Sequence, residues 1–357
     1  RRSSSSADPM AVKIAMIGAG WVCEARHIPA LRRLPHVEIV GIVDPDEARA
    51  RAVAAKFGIP NFSAATSAAG IPWLAQATAV SISTPPRYHR DWMADCLELG
   101  KDVLIEKPVS LSRAETAELD ARVQKSGAMV AVMHNNLFTR SAVRARRLIA
   151  DGALGRVTAV QTRLLNSPRR HLPNWYEALP FGLLYDELSH FLYLGDSLGK
   201  NLRVRNATVF PSAQGHATPA LATLELQADG FPLAFSLNFE SPVCEWHMTI
   251  VGEKGLLVHD VFRDILLRLP DDREHRAADH FRTLAVATLG TWGGFVESGW
   301  RHLAGKLDFG VGEVMRRFVA ACETRQAPER IAWPDALRVF GLLQDSIDEL
   351  SAAAARK

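Results

Sequence analysis

The run Val12-Lys13-Ile14-Ala15-Met16-Ile17-Gly18-Ala19-Gly20-Trp21-Val22-Cys23 decides the fold: a short apolar segment enters a two-glycine turn, and a stretch of helical length follows. That is a strand-to-helix junction. Gly18 permits the tight turn and Gly20 lets backbone approach an anion, while the N–H groups and positive dipole end of the next helix, from Trp21 and Val22 on, favour a pyrophosphate. Cys23 replaces the third glycine of the usual pattern and is small enough to let the helix pack on the strand. Further along, a second apolar run ends at Val43 and is followed by Asp44, where a carboxylate accepts hydrogen bonds from an adenosine ribose. Asp46 reads as a helix cap. Loop, strand and acid in this order point to a dinucleotide.

Working outward, short β-rich runs alternate with amphipathic stretches as far as about His134, the signature of a parallel sheet with crossover helices. Strands are predicted at Val12–Ile17, Val37–Val43, Ala79–Ser83, Val103–Glu106 and Met129–Met133, and helices at Trp21–Leu34, Asp46–Phe57, Tyr88–Leu99 and Ser112–Lys125. A helix at Ser141–Asp151, a strand at Val157–Leu164 and a helical stretch at Gly182–Leu198 come next. Strands then follow one another from Arg203 to Leu269, which implies an antiparallel or mixed sheet. Helical patterns close the chain at Val311–Thr324 and Trp333–Ala354, and Ala278–Asp308 has no clear pattern. The expected fold class is α/β: a doubly wound Rossmann domain over 11–134, then an α+β domain over 135–357 with a large open sheet. Residues 1–10, opening on Arg1-Arg2-Ser3-Ser4-Ser5-Ser6, read as a disordered extension.

The chain has 357 residues, 48% of them apolar, and a formal net charge of +3 from 42 basic and 39 acidic side chains. Two cores are affordable on that composition. No basic block interleaves with aromatics, so nucleic acid is not an expected partner. No apolar run approaches the ~20 residues that span a bilayer, and no hydrophobic core follows the first residues as in a signal peptide. The expectation is a cytoplasmic protein with no membrane partner. Cys23, Cys96, Cys244 and Cys322 lack metal-binding spacing and read as ordinary buried residues; no metal is expected.

Ser83-Thr84-Pro85-Pro86-Arg87-Tyr88-His89 and Gly100-Lys101-Asp102-Val103-Leu104-Ile105-Glu106-Lys107-Pro108 are similar to the TPxxxH and GKxVxxEKP segments of the Gfo/Idh/MocA family. Asp186-Glu187-Leu188-Ser189-His190 matches that family's DxxxH, and the resemblance covers nearly the whole chain. Asp44 repels a 2′-phosphate and no arginine stands immediately beside it, Arg49 lying on the following helix, so NAD is expected as cofactor, with NADP less favoured. With the resemblance, the expected binding residues are Gly18, Gly20, Trp21, Val22, Asp44, Thr84, Pro85, His89, Glu106 and Lys107. The resemblance also implies Lys107, Asp186 and His190 as catalytic and substrate-contacting, and a substrate that is a sugar, cyclitol or related polyol. Pro108 follows a cis bond in relatives.

The chemistry is consistent with these roles. Lys107 ends a parallel strand, where open α/β sheets place ligands, and an ammonium there favours negative charge on a substrate oxygen. Asp186 and His190 share a helix face at i and i+4, and histidine suits proton transfer near neutral pH. Leu188 and Tyr193 stand where relatives have a glycine and an aspartate, and His134-Asn135-Asn136-Leu137 replaces an arginine pair. Asn136 is the candidate substrate contact there, and Trp175, Tyr176 and Phe181 are candidates for an aromatic wall. An alternative that shares every motif is a glycoside hydrolase or lyase that retains NAD; a cofactor-binding regulator without turnover is disfavoured by the complete set of Lys107, Asp186 and His190. A homodimer or homotetramer is expected, because the later sheet has too few helices to cover both faces and leaves an apolar face to bury.

Overall fold

The computed structural model describes residues 11–170, 172–305 and 307–356, so the expected N-terminal extension lies outside the described residues. The chain divides into two compact units. One holds the chain through His134 together with Val311–Leu337; the other holds Asn135–Gly310 and the chain from Arg338 on.

The first unit is built on six strands: β1 (Val12–Ile17), β2 (Val37–Val43), β3 (Phe62–Ser63), β4 (Ala79–Ile82), β5 (Asp102–Ile105) and β6 (Val130–Val132). They lie in the order β3-β2-β1-β4-β5-β6, and every pair is parallel. Strand order reverses at β1, so the crevice at its carboxyl end is the place where such sheets take ligands. β4 and β5 are buried at every residue because both faces of the sheet are covered, which is why they read as continuous apolar runs. The crossover helices are α1 (Ile28–Leu31), α2 (Glu47–Phe57), α3 (His89–Glu98) and α4 (Arg113–Ser126). Asp46 caps α2 by accepting from Arg49 N at 3.1 Å, as its sequence position suggests.

The helix expected over Trp21–Leu34 departs from that reading. It is π-helical at Cys23–His27 and ends with α1 at Leu31. Pro29 has no N–H to offer the Ala25 carbonyl, so a regular α ladder cannot run through this turn. A second difference concerns the last part of the chain. Residues 311–337, expected in the second domain, pack with the first unit through α8 (Val311–Thr324) and the start of α9 (Trp333–Ala355). Arg325 binds Asp102 at 2.6 Å, Trp333 Nε1 donates to Asp120 at 2.9 Å, and Val132 N donates to the Ile331 carbonyl at 2.8 Å. Local periodicity locates these helices but carries no information about which core they join.

The second unit contains α5 (Arg140–Ala150), β7 (Val157–Leu165), α6 (Leu183–Asp196) and β8 (Arg203–Phe210). β9 (Leu221–Ala228), β10 (Phe231–Asn238), β11 (Glu245–Gly252), β12 (Gly255–Asp260), β13 (Ile265–Pro270) and α7 (Ala277–Leu303) follow. Its seven strands run β13-β12-β11-β7-β10-β9-β8, antiparallel except for the β7–β10 pair. Side chains alternate across this sheet. One face buries Val160, Leu164, Leu233, Phe235, Trp246 and Met248. The Phe191 ring of α6 stacks on Trp246 at 5.0 Å and meets Phe235 edge-on at 5.4 Å.

The opposite face corrects an expectation. At its centre it carries Gln161, Arg163, Thr223, Glu225, Ser236 and His247, so it is not the apolar surface anticipated. The exposed apolar surface sits on α7, in the segment without a legible pattern. Among the described residues no helix is long and apolar enough to cross a membrane.

Candidate active site

In the first unit the glycine turn joins β1 to the π-helical turn. Gly18 has φ +93°, and a Cβ on it would lie 3.0 Å from the Ser83 carbonyl group, so only glycine fits. A Cβ on Gly20 would meet nothing within 4 Å. Its glycine serves no internal packing, and the open space beside it is what a phosphate group needs. Trp21 is exposed and Val22 half-buried at the start of the helix. Asp44 is buried and braces the turn: Oδ2 accepts from Ala19 N at 2.8 Å and Oδ1 from Asp46 N at 2.9 Å. Arg49 also reaches Asp44 Oδ1, at 3.2 Å, although its position on the following helix had set it apart from the acid. One helical turn brings the guanidinium back over the strand end.

Thr84 and Pro85 follow β4, and Thr84 Oγ1 is buried with no hydrogen-bond partner among the described residues. Such an atom costs about 1–3 kcal/mol unless something satisfies it. His89 begins α3 and is fully buried; its ring nitrogens lie 2.8 Å from the Pro108 and Thr84 carbonyl oxygens. Burial pushes its pKa below the ordinary value against the pull of those carbonyls. The ring ties together the chain ends leaving β4 and β5.

Lys107, half-buried, follows β5, and the Lys107–Pro108 bond is cis. Glu106 accepts from His27 Nε2 at 3.0 Å and from Lys107 N at 3.2 Å, and His27 Nδ1 lies 3.0 Å from Ser81 Oγ. Burial alone raises the Glu106 pKa, but the His27 hydrogen bond and the His27 and Lys107 charges hold it net below the ordinary value. Sequence reasoning missed His27 and Ser81. Their only signal is polarity at positions where the strand and helix patterns call for apolar side chains.

In the second unit α6 is buried at almost every residue, and Asp186 and His190 are among the few that remain half-buried. The pair is therefore not an ordinary solvated i,i+4 couple. His190 Nδ1 lies 2.6 Å from the Tyr193 hydroxyl and 3.4 Å from Asn136 Nδ2. A chain of amides fixes the orientation of the Asn136 side chain. The Phe309 carbonyl, an acceptor only, takes a hydrogen bond from Asn135 Nδ2 at 3.0 Å. Asn135 Nδ2 donates in turn to Asn136 Oδ1 at 3.1 Å, so Asn136 presents its NH₂ to His190. The Tyr193 hydroxyl accepts from Asn136 N at 3.2 Å and shares a proton with Nδ1 in a direction set by the ring tautomer. Asn136, singled out as a substrate contact, has its amide engaged by this network. Trp175 and Tyr176 are half-buried and meet edge-on at 6.4 Å on a short 3-10 helix, Asn174–Ala178.

Glu245, His247 and Asp260 bring ligand-type atoms within 4.8 Å of one another, a grouping that spacing does not announce. Arg263 already binds both carboxylates, at 2.7 Å each. Burial pushes the Cys23 and Cys96 thiols up to about 12, while Cys244 is exposed rather than buried as expected.

Residues 12–134 match the model of an oxidoreductase family with an NAD-binding Rossmann fold, and residues 142–258 match the GFO/IDH/MocA C-terminal domain. A dTDP-3,4-didehydro-2,6-dideoxy-alpha-D-glucose 3-reductase of Streptomyces violaceoruber is 32% identical over 205 residues, covering 56% of this chain and 58% of its own length. A D-glucoside 3-dehydrogenase of Escherichia coli K12 is 26% identical over 174 residues, covering 49% and 48%. The chain thus spans about half the length of these curated relatives. In fold it is similar to a levoglucosan dehydrogenase solved with NADH and levoglucosan, with a TM-score of 0.74 at 16% identity over 98% of each chain. With both halves of the pattern matched in order, this chain belongs to the Gfo/Idh/MocA family of oxidoreductases.

Proposed function

We propose that the protein is an NAD-dependent oxidoreductase that interconverts a secondary alcohol and a ketone on a sugar, cyclitol or related polyol. The observation that carries this reading is the hydrogen-bonded chain from Phe309 to His190, which holds a proton-transfer group in place on an otherwise buried helix. The residues fit a dinucleotide. Gly18, Gly20, Trp21 and Val22 would hold the pyrophosphate, Asp44 the adenosine ribose, and Thr84 and Pro85 the nicotinamide side, with His89 and Glu106 bracing their loops. The open space at Gly20 and the unsatisfied Thr84 hydroxyl support that fit. A bound nicotinamide supplies the two-electron redox chemistry.

The remaining work falls to side chains. In reduction, His190 gives a ring proton to the substrate carbonyl oxygen and regains one from solvent, with the Tyr193 hydroxyl and the Asn136 amide holding the ring through Nδ1. In oxidation, His190 takes the hydroxyl proton and releases it to solvent. Lys107 stabilises negative charge on the same oxygen, Asp186 orients the reacting hydroxyl, and Asn136 positions His190. Asp44 favours NAD over NADP, with Arg49 moderating the preference. The relatives named for reactions at a sugar C3 support a hexose-ring alcohol within the substrate class. Other partners in this reading are further copies of the chain, with no nucleic acid or membrane.

A panel of sugars and polyols followed by NADH absorbance tests the proposal. Net NADH formation with at least one of them is the expected result. Substrate turnover without net change in NADH would replace this reading with an NAD-retaining hydrolase or lyase.

A further inference from the structure

Glu187 is buried on α6, one residue after Asp186 and one turn before His190. A carboxylate in that setting needs a partner, and Arg170 supplies one: Nη1 donates to Glu187 Oε1 at 2.9 Å and to Asn166 Oδ1 at 3.2 Å. Asn166, also buried, is pinned just past the end of β7, where its N–H donates to the Asn238 carbonyl at 2.8 Å and its carbonyl accepts from Ser241 N at 3.2 Å. The guanidinium carbon of Arg170 lies over the Phe262 ring, 5.9 Å from its centre. An arginine on a loop is thereby held on three sides. Fixing so long a side chain costs conformational entropy, and a part-exposed ion pair contributes little stability to offset it. Stability is therefore a poor explanation for the brace. Nη1 makes both of the hydrogen bonds. Nε and Nη2, which together form the edge that meets a carboxylate or phosphate at two points, have no partner among the described residues, and the side chain is 35% exposed.

Two sets of contacts tie this arginine to the surroundings of His190. Glu187 and His190 are i and i+3 on α6, neighbours about 5–6 Å apart at Cβ. The Trp246 ring stands 5.9 Å from the His190 ring and 5.9 Å from the Phe262 ring on which Arg170 rests. The charge of the loop points to the same kind of ligand: from Arg163 through Tyr176 there are three arginines and no acid, and Arg170 already neutralises Glu187. We propose that the Nε–Nη2 edge of Arg170 binds an anionic substituent of the substrate, a carboxylate or phosphate group carried away from the reacting carbon. The preferred substrate is then an acidic sugar or a sugar phosphate and not a neutral polyol, an inference that rests on the oxidoreductase reading and narrows its substrate class. His190 works at the reacting hydroxyl while Arg170 holds a remote part of the same molecule, and two fixed points orient a ring better than one. A neutral hydroxymethyl group in place of the anion leaves the guanidinium edge without its charged partner, which is the basis of the discrimination.

The test is calorimetric titration of the full chain, saturated with NADH, with D-glucose, D-glucuronate and D-glucose 6-phosphate, and with the matching galactose series. At least one acid should bind about tenfold or more tightly than its neutral partner. Which acid does so separates a carboxylate from a phosphate ligand. Arg170→Gln should bring the preference to within about threefold. Should that variant fail to fold by circular dichroism, Arg170→Gln with Glu187→Gln removes both charges of the pair, leaves no buried carboxylate unpartnered, and should lose the preference equally. Neutral sugars bound as tightly as the acids, or a preference that persists in a folded variant, would overturn the proposal. NADH formation from NAD with the neutral sugars would in that case leave the oxidoreductase reading standing without it. An acid held through Arg170 that yields no NADH would keep the anion site and remove the redox reading.

Discussion

At the residue scale, the most informative departure from the family pattern is Tyr193, which stands where relatives have an aspartate. A carboxylate beside Nδ1 can only accept a hydrogen bond from it, whereas a phenol can accept or donate one. Because the Tyr193 hydroxyl holds the His190 ring at 2.6 Å, Tyr193→Phe should lower kcat about tenfold to a hundredfold with little change in NADH affinity, and His190→Ala should lower it by on the order of 10² to 10⁴. Lys107→Met, which keeps chain length and removes the charge, should also depress kcat. Steady-state kinetics beside NADH titration checks all three, and an unchanged kcat in Tyr193→Phe would leave His190 acting without it. Asp44→Ser should narrow the preference for NAD and Arg49→Ala should widen it; equal catalytic efficiency with NAD and NADP in the unaltered protein would remove the basis for either.

His259 supports a prediction of another kind. It is buried on β12 with Ser141 Oγ at 2.7 Å, and burial lowers its pKa from 6.5 to about 4. Between those values the unfolded chain holds a proton that the folded chain lacks. Stability should therefore fall as pH drops through that window, by on the order of 3 kcal/mol from this group, and lose nothing more from it below about pH 4. Urea midpoints from pH 7 to 4.5 should fall less steeply in His259→Gln than in wild type. Parallel slopes would mean that other groups dominate.

At the scale of elements, local chemistry accounts for most boundaries and for one irregularity. Asp46 and Ser112 cap their helices, Gly58 and Gly127 end them with positive φ, and Pro29 forces the π-helical turn. Gly310 is different, since its requirement comes from a distant contact: at φ +81°, a Cβ there would lie 2.1 Å from the Asn135 carbonyl oxygen. The neighbouring Phe309 carbonyl anchors the amide chain to His190. Gly310→Ala should destabilise the protein by about 1–3 kcal/mol and lower kcat in the protein that remains folded. A variant with wild-type unfolding midpoint and kcat would disprove the link.

At the scale of the molecule, cofactor binding should be coupled to stability. A ligand bound only by the folded chain at a hundred times its dissociation constant adds about 2.7 kcal/mol. NADH at that excess should raise the thermal midpoint, and Gly18→Ala should abolish the shift; absence of any shift in wild type would contradict the proposed binding residues. The sequence by itself determined the parallel sheet, the glycine turn with Asp44 at the next strand end, the mixed second sheet and the family, because each follows from local periodicity or short spacing. Only the tertiary structure decided that 311–337 joins the first unit, that Arg49 reaches Asp44, and that His27 and Ser81 stand behind Glu106. The amide chain that reaches His190 and the polar outer face of the sheet belong with these. All of them depend on which distant residues meet. Periodicity shows which face of an element is apolar, but what that face packs against, or whether it is covered at all, as on α7, is set by the folding of the rest of the chain.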